Sequence, residues 1–172
     1  NDKVVSLAVL HPLTHDMETR EAYLRGAVWK NNDTDHTLDA DIAQEMEEDE
    51  EFILTLTANG YGKISSAYEY RTTGRGGQGI TNIGEPTDTS RNGPVVASFP
   101  VRHGMQLMLV TDQAKLIRMA VSDMRVMGRS TAGVKLFDVA KNEHVVSAAR
   151  IDESEEAEDT GIADDASTRD GP

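Results

Sequence analysis

The sequence predicts an all-β chain of repeated, propeller-like blades, and three observations carry that prediction. The chain matches itself at a shift of 54 residues: Ile53-Leu-Thr-Leu-Thr57 falls on Leu107-Met-Leu-Val-Thr111, Glu69 on Asp123, Arg71 on Arg125, Gly74-Arg75 on Gly128-Arg129, and Gly79-Ile80 on Gly133-Val134. Chemically demanding positions that keep one spacing mark an internal repeat. Within each copy, short apolar runs are bounded by turn residues, which is the pattern of strands. About four such runs fall in every 50 residues or so, the density of a propeller blade.

The elements follow in chain order. Asn1-Asp-Lys-Val-Val-Ser-Leu-Ala-Val-Leu10 matches Asn142-Glu-His-Val-Val-Ser-Ala-Ala-Arg-Ile151, and Val95-Val-Ala-Ser-Phe-Pro-Val101 fills the same slot in between. Residues 1–10 are therefore expected to be the last strand of a preceding blade, with further repeats upstream. Residues 11–50 break the rhythm and read as an acidic, helical insertion. Asp16 to Lys30 has helical content, with Met17, Leu24, Ala27 and Val28 roughly on one face, and Leu38, Ile42 and Met46 suggest a second short helix. Residues 51–101 form one blade: a strand from Phe52 to Thr57, an Asn59-Gly60 turn that tolerates positive φ, a returning strand, a glycine-rich loop, Ile80-Thr-Asn-Ile83, a polar loop and a final strand. Residues 102–151 repeat this as a terminal blade, with Asp112-Gln113 at the hairpin and Val134-Lys-Leu-Phe137 as the third run. Residues 152–172 lack apolar periodicity and are expected to be a disordered acidic tail.

Composition narrows the function. Hydrophobic residues make up 38% of the chain and aromatics only 5%, so the core rests on Val, Ile, Leu, Met and Ala. The lack of cysteine excludes disulfides, thiolate metal sites and cysteine nucleophiles. No apolar run approaches the roughly 18 residues of a membrane span, so no membrane partner is expected. The net charge of −13 is a misleading average. Residues 51–151 carry 12 Lys/Arg against 8 Asp/Glu, whereas residues 1–50 carry 4 against 13 and residues 152–172 carry 1 against 9. A basic island lies between two acidic flanks.

Gly74-Arg-Gly-Gly-Gln-Gly79 formally satisfies G-x-G-x-x-G. A dinucleotide loop needs a helix N-terminus aimed at pyrophosphate, and here the loop runs into strand-like Ile80-Thr-Asn-Ile83. The second copy, Gly128-Arg-Ser-Thr-Ala-Gly133, keeps only the outer glycines. Both copies do keep Arg71/Arg125, Arg75/Arg129 and Gly79/Gly133. Guanidinium groups make bidentate contacts to phosphate, and backbone N–H groups of a tight glycine loop add to an anion nest. Arg75, Arg129, Arg71 and Arg125 are the leading candidates for contacting a nucleic-acid backbone, with Lys63, Arg118, Lys115 and Lys135 as weaker ones. The competing reading pairs Arg71 and Arg125 with Glu69 or Asp123, or makes them staples between blades. His11 and His15 are four apart, but Pro12 lies between them and no further ligand spacing follows. No tyrosine has the basic and acidic neighbours a DNA-cleaving nucleophile needs. No catalytic, cofactor-binding or metal-binding residue is identified.

Asn59-Gly-Tyr-Gly-Lys63, Glu69-Tyr-Arg-Thr-Thr-Gly-Arg-Gly-Gly-Gln-Gly79, Arg91-Asn-Gly-Pro-Val-Val96, and Lys115-Leu-Ile-Arg118 with Arg125-Val-Met-Gly-Arg129 resemble the last two blades of the DNA-wrapping C-terminal domain of bacterial DNA gyrase A. The resemblance is dense over residues 51–151 and extends to residues 1–10. It implies a β-pinwheel whose blades exchange strands and whose basic rim bends double-stranded DNA. It further implies a parent type IIA DNA topoisomerase, an ATP-dependent, supercoiling isomerase. There this domain works with the rest of gyrase A and with gyrase B in a cytoplasmic, nucleoid-associated heterotetramer. Cofactors are expected to be none in this stretch, with ATP and Mg used through other domains. Gly74 to Gly79 resembles the family's Gln-Arg-Arg-Gly-Gly-Lys-Gly box, but Thr73-Gly74 replaces Gln-Arg and Gln78 replaces Lys, so the box's role does not transfer. Ile64 stands where the second repeat has Arg118, which implies a weaker grip by the first blade. The equivalent domain of topoisomerase IV, and a propeller used for protein recognition, are the alternatives. A competitor role for the acidic run from Glu153 to Asp159 is a further expectation.

Overall fold

The computed structural model describes residues 3–26, 38–84 and 89–151. Two antiparallel sheets dominate it. The elements are α1 (Met17–Gly26), α2 (Ala40–Asp49), β1 (Phe52–Thr57), β2 (Tyr61–Ser66), a 3₁₀ turn (Ala67–Glu69), a short helix α3 (Thr89–Asn92), β3 (Val95–Val101), β4 (Gln106–Thr111), β5 (Leu116–Ala120), a second 3₁₀ turn (Val121–Asp123), β6 (Val134–Lys135) and β7 (Val145–Ile151). The 54-residue shift lays β1 on β4 and one 3₁₀ turn on the other, residue for residue. Even the irregularities repeat: the β1–β3 register slips between Leu56 and Thr57, and the β4–β7 register between Val110 and Thr111.

Strand order explains how the repeats are joined. The first sheet runs β3-β1-β2-β6 and the second β5-β4-β7. β6 lies in the second repeat but pairs with β2 of the first, Tyr61 opposite Lys135 and Gly62 opposite Val134. The 51–101 blade therefore takes its fourth strand from residues expected to belong to the next one. Ile80–Ile83, the equivalent stretch of the first repeat, forms no strand. No described strand ahead of it offers a β2-like edge. Asn82 turns inward instead: its Nδ2 donates to Thr55 Oγ1 at 2.7 Å, and its Oδ1 accepts from the Tyr70 hydroxyl. Burial pushes the Tyr70 hydroxyl up to about 12, with Glu69 adding to the rise.

The strand expected at residues 1–10 is likewise not formed among the described residues. Residues 3–10 run without ladder bonds beside β3, where the Ser6 hydroxyl donates to the Ser98 carbonyl. Val4, Leu7 and Val9 remain exposed. A final strand needs a β1- or β4-type strand to pair with, and within the chain both are already taken by β3 and β7.

The two sheets share one interior. Phe52, Leu54 and Ile64 of the first repeat pack with Leu107, Val121 and Met124 of the second, and Leu56 and Ala97 pack with Leu109 and Val145. All six β1 residues are buried, whereas β4 buries alternate ones, Leu107, Leu109 and Thr111. Alternation is what a strand with one solvated face shows, and continuous burial is what a strand covered on both faces shows. Hairpin geometry matches between copies. Gly60 and its equivalent Ala114 both adopt positive φ, +79° and +58°. Only the glycine does so without steric cost.

Two helices, α1 and α2, form within residues 11–50, and α1 docks on the first 3₁₀ turn. Met46 and Leu24 are buried, but Met17 is exposed, and Ala27 and Val28 lie outside the described residues, as does the 152–172 tail. The Tyr23 and Tyr68 rings meet edge-on at 5.5 Å, and the Tyr68 hydroxyl donates to the Met46 carbonyl at 3.0 Å. The Tyr23 hydroxyl donates to Glu50 Oε2 at 2.9 Å, and burial pushes the Glu50 carboxyl above its ordinary range.

The second hairpin is clamped by a buried carboxylate. Glu143 accepts from Lys115 Nζ at 2.9 Å, from the Ala140 N–H at 2.7 Å and from the Thr111 hydroxyl at 2.7 Å. The Lys115 bond first, then the Ala140 and Thr111 bonds, pull this carboxyl down to about 2. A carboxyl more acidic when folded contributes stability that is present above its ordinary value of 4.5 and lost as pH falls toward 2. Urea midpoints measured from pH 5 to pH 2 are expected to fall more steeply for the wild type than for Glu143→Gln. Parallel curves would show that the clamp is not coupled to folding.

Candidate nucleic-acid interface

Each repeat places its first candidate arginine just beyond a 3₁₀ turn. Ala67–Glu69 leads to Arg71, and Val121–Asp123 leads to Arg125. Both side chains are exposed, and neither makes an ion pair or hydrogen bond among the described residues. The expected pairing with Glu69 or Asp123 is therefore absent there. Arg75 is also exposed, at the tip of the glycine-rich loop, with Gly76 at φ +77° beside it and Gly79 at φ +76° closing the loop.

Arg129 behaves differently from its repeat equivalent. It is half-buried, its backbone N–H donates to Glu69 Oε2 at 2.8 Å, and its Nη1 donates to the Thr81 carbonyl. Glu69 thus caps the second repeat's loop instead of neutralising an arginine side chain in its own.

The structure corrects the reading of Lys63 as a surface cation. Lys63 is fully buried, and its ammonium donates to the carbonyls of Gly128 (2.9 Å) and Arg129 and to the Thr131 hydroxyl. Burial pulls it down to about 8, Glu69 opposes that shift and Arg129 adds to it. It is a staple between the two repeats, the role considered for Arg71 and Arg125. β2 is buried without a break from Gly62 to Ser66, and the loop of the next repeat lies over the Lys63 side chain. Lys115 is half-exposed but tied to Glu143, and Lys135 pairs with Asp138 at 2.7 Å. Arg118 stands exposed on β5, where its Nε donates to Gln106 Oε1. Its equivalent Ile64 is buried and bridged to Val126. The exchange of charge for apolar side chain follows from the strand order: β2 is covered by the next repeat and β5 forms the edge of its sheet.

One cation was not singled out by sequence. Arg20 on α1 is 9% exposed, with Nε on the Asp16 carbonyl and Nη1 on the Tyr68 carbonyl, both at 3.3 Å. The available signal was its spacing of four from Leu24, which puts both on the buried face of one helix. Among the described residues no cluster of His, Asp and Glu suits a metal ion, and no helix is long and apolar enough to cross a membrane.

Two consecutive strand-exchanging units, each ending its hairpin in a 3₁₀ turn and an arginine loop, match one family model in both copies. The model described as DNA gyrase C-terminal domain, beta-propeller, matches residues 51–102 and again 106–152. The chain belongs to the DNA gyrase C-terminal domain family. Among relatives, the DNA gyrase A protein of Granulibacter bethesdensis is 44% identical over 93% of the chain. The chain spans about a fifth of the length of such curated relatives, 19% in that case. A solved gyrase A C-terminal domain superposes with a TM-score of 0.52 at 23% identity, covering 58% of this chain and 33% of that one. The C-terminal domain of topoisomerase IV superposes with 0.53 at 20% identity, covering 59% and 31%. The fold is common to both enzymes, and the sequence likeness favours gyrase.

Proposed function

We propose that this chain is a DNA-wrapping module that grips the duplex through the phosphate backbone, working within DNA gyrase A. The observation that carries the reading is the repeated placement of Arg71 and Arg125, exposed and without ion pairs among the described residues, one after each 3₁₀ turn. Arg75 extends the first of these loops, and Arg118 and the half-buried Arg129 border the second. Guanidinium groups repeated at blade spacing suit a duplex whose bending must be held by recurring contacts, since bending a few tens of base pairs costs roughly 1–6 kcal/mol. Such binding is independent of base sequence and is weakened by salt. In this reading the chain contributes no catalytic group. DNA cleavage belongs to the rest of gyrase A, ATP hydrolysis with Mg to gyrase B, and the assembly negatively supercoils DNA in the cytoplasm.

The test replaces Arg71, Arg75 and Arg125 together with glutamine and follows duplex binding across a salt series. Each phosphate contact removed is expected to lower the slope of log K against log salt by about 0.9, so the triple variant should flatten it by about 2–3 in all. A folded variant with unaltered affinity would turn the reading toward protein recognition.

A further inference from the structure

Between α1 and the glycine-rich loop of the first repeat lies an open recess of about 530 Å³. Three arginines line it from three parts of the fold: Arg20 from α1, Arg71 from the loop after the first 3₁₀ turn, and Arg129 from the second repeat. Their partners are almost all neutral. Arg20 is held by the Asp16 and Tyr68 carbonyls, Arg129 by the Thr81 carbonyl, and Arg71 makes no ion pair among the described residues. Arg129 Nε is buried with no hydrogen-bond partner among the described residues.

Two carboxylates, Glu21 and Glu69, share the lining. Glu69 spends Oε2 on the Arg129 backbone N–H and feels the Lys63 ammonium behind it, while its Oε1 is buried without a partner among the described residues, so three guanidinium groups face two carboxylates. Charge in the recess is therefore cationic, although the inserted segment that supplies Arg20 is acidic overall. A guanidinium fixed by carbonyls keeps its remaining N–H groups and its full charge for an anion. The planar fork suits two oxygens of one tetrahedral group.

We propose that this recess is a phosphate site, completed by the inserted helix, that takes one backbone phosphate of bound duplex. The proposal rests on the DNA-wrapping reading above and adds a role for the insertion: α1 supplies one of the three arginines that together hold the phosphate. Arg20 and Arg71 then act on the same phosphate.

The experiment is duplex binding by the chain across a KCl series, for wild type, Arg20→Gln, Arg71→Gln and the double variant, with circular dichroism confirming each fold. Each single variant is expected to lower the slope by up to about 0.9, and the double variant by no more than that, because one phosphate is lost only once. A slope unchanged by Arg20→Gln overturns the site while leaving the DNA reading intact. Additive losses overturn the shared phosphate. A wild type that does not bind duplex removes both readings. Because glutamine can also loosen α1, Arg20→Lys provides a second arm. It keeps a cation but loses the fork, so affinity at fixed salt should drop several-fold with the slope retained, and unchanged affinity there overturns the proposal. Inorganic phosphate, titrated as competitor at an ionic strength matched by KCl, is expected to displace duplex from the wild type more readily than from Arg20→Gln. Equal displacement from both overturns the site.

Discussion

Replacing Lys63 with methionine is expected to destabilise the fold by about 2–3 kcal/mol, the range for losing hydrogen bonds from a charged donor. Methionine matches the length of the aliphatic stem and fills the same space, so the loss isolates the ammonium. Without it the carbonyls of Gly128 and Arg129 lose their Lys63 bonds beneath the second repeat's loop. Burying a charge is itself unfavourable, and part of the loss is returned when that charge is removed. The loss still wins: the Gly128 carbonyl keeps the Thr131 N–H and hydroxyl, but the Arg129 carbonyl is left a desolvated acceptor without its donor. Whole domains of this size are stable by about 5–15 kcal/mol, so such a loss is large. Urea unfolding measures it directly. A Lys63→Met protein as stable as the wild type would show that the staple is dispensable. The natural contrast is Ile117, the equivalent position on β5, over which no loop of the described residues is held.

Gly133→Ala is expected to be at least as damaging, by about 3 kcal/mol, with Gly79→Ala as its internal control. Both glycines adopt left-handed φ, +79° and +76°, and an alanine there costs about 1–2 kcal/mol from backbone sterics alone. Their surroundings separate them. A Cβ on Gly133 would sit 2.9 Å from the Gly62 carbonyl oxygen and 3.1 Å from its carbon, whereas a Cβ on Gly79 meets nothing within 4 Å. Backbone cannot rotate away as a side-chain tip can, so the β2–β6 pairing must open. Thermal melts of the two variants should therefore differ, with Gly133→Ala clearly the lower. Equal losses would mean that only φ matters and that the approach of the two strands is not tight.

Particular residues show how far the sequence could be read. The two 3₁₀ turns between the returning strands and the loops were not announced, whereas the 54-residue shift located β1 and β4, because strands and hairpin turns are written in local pattern and turn chemistry. The loop arginines were legible for the same reason. Lys63 was not: a lysine on a strand reads as solvated unless one knows which loop lies over it, and that loop is 65 residues further on. The partner of β6 was equally hidden. The run from Val134 to Phe137 announced a strand, but its choice of β2 is a non-local event. Ile80–Ile83 read as a strand on apolar content, yet a strand exists only where an edge is offered to it, and Asn82 answered to side-chain partners instead. The docking of α1 and the burial of Arg20 depended on Tyr68, a residue whose local pattern says nothing about helices.

The borrowing of β6 by β2 has a consequence for how such arrays can grow or shrink. Counted by sequence, a unit spans residues 51–101; counted by completed hydrogen-bond ladders, the first sheet reaches from Phe52 to Lys135. Cutting at the first boundary strips one edge and strands one orphan ribbon. A duplication or excision in such an array therefore keeps its seams closed only where the following copy brings its own β6-like strand with it.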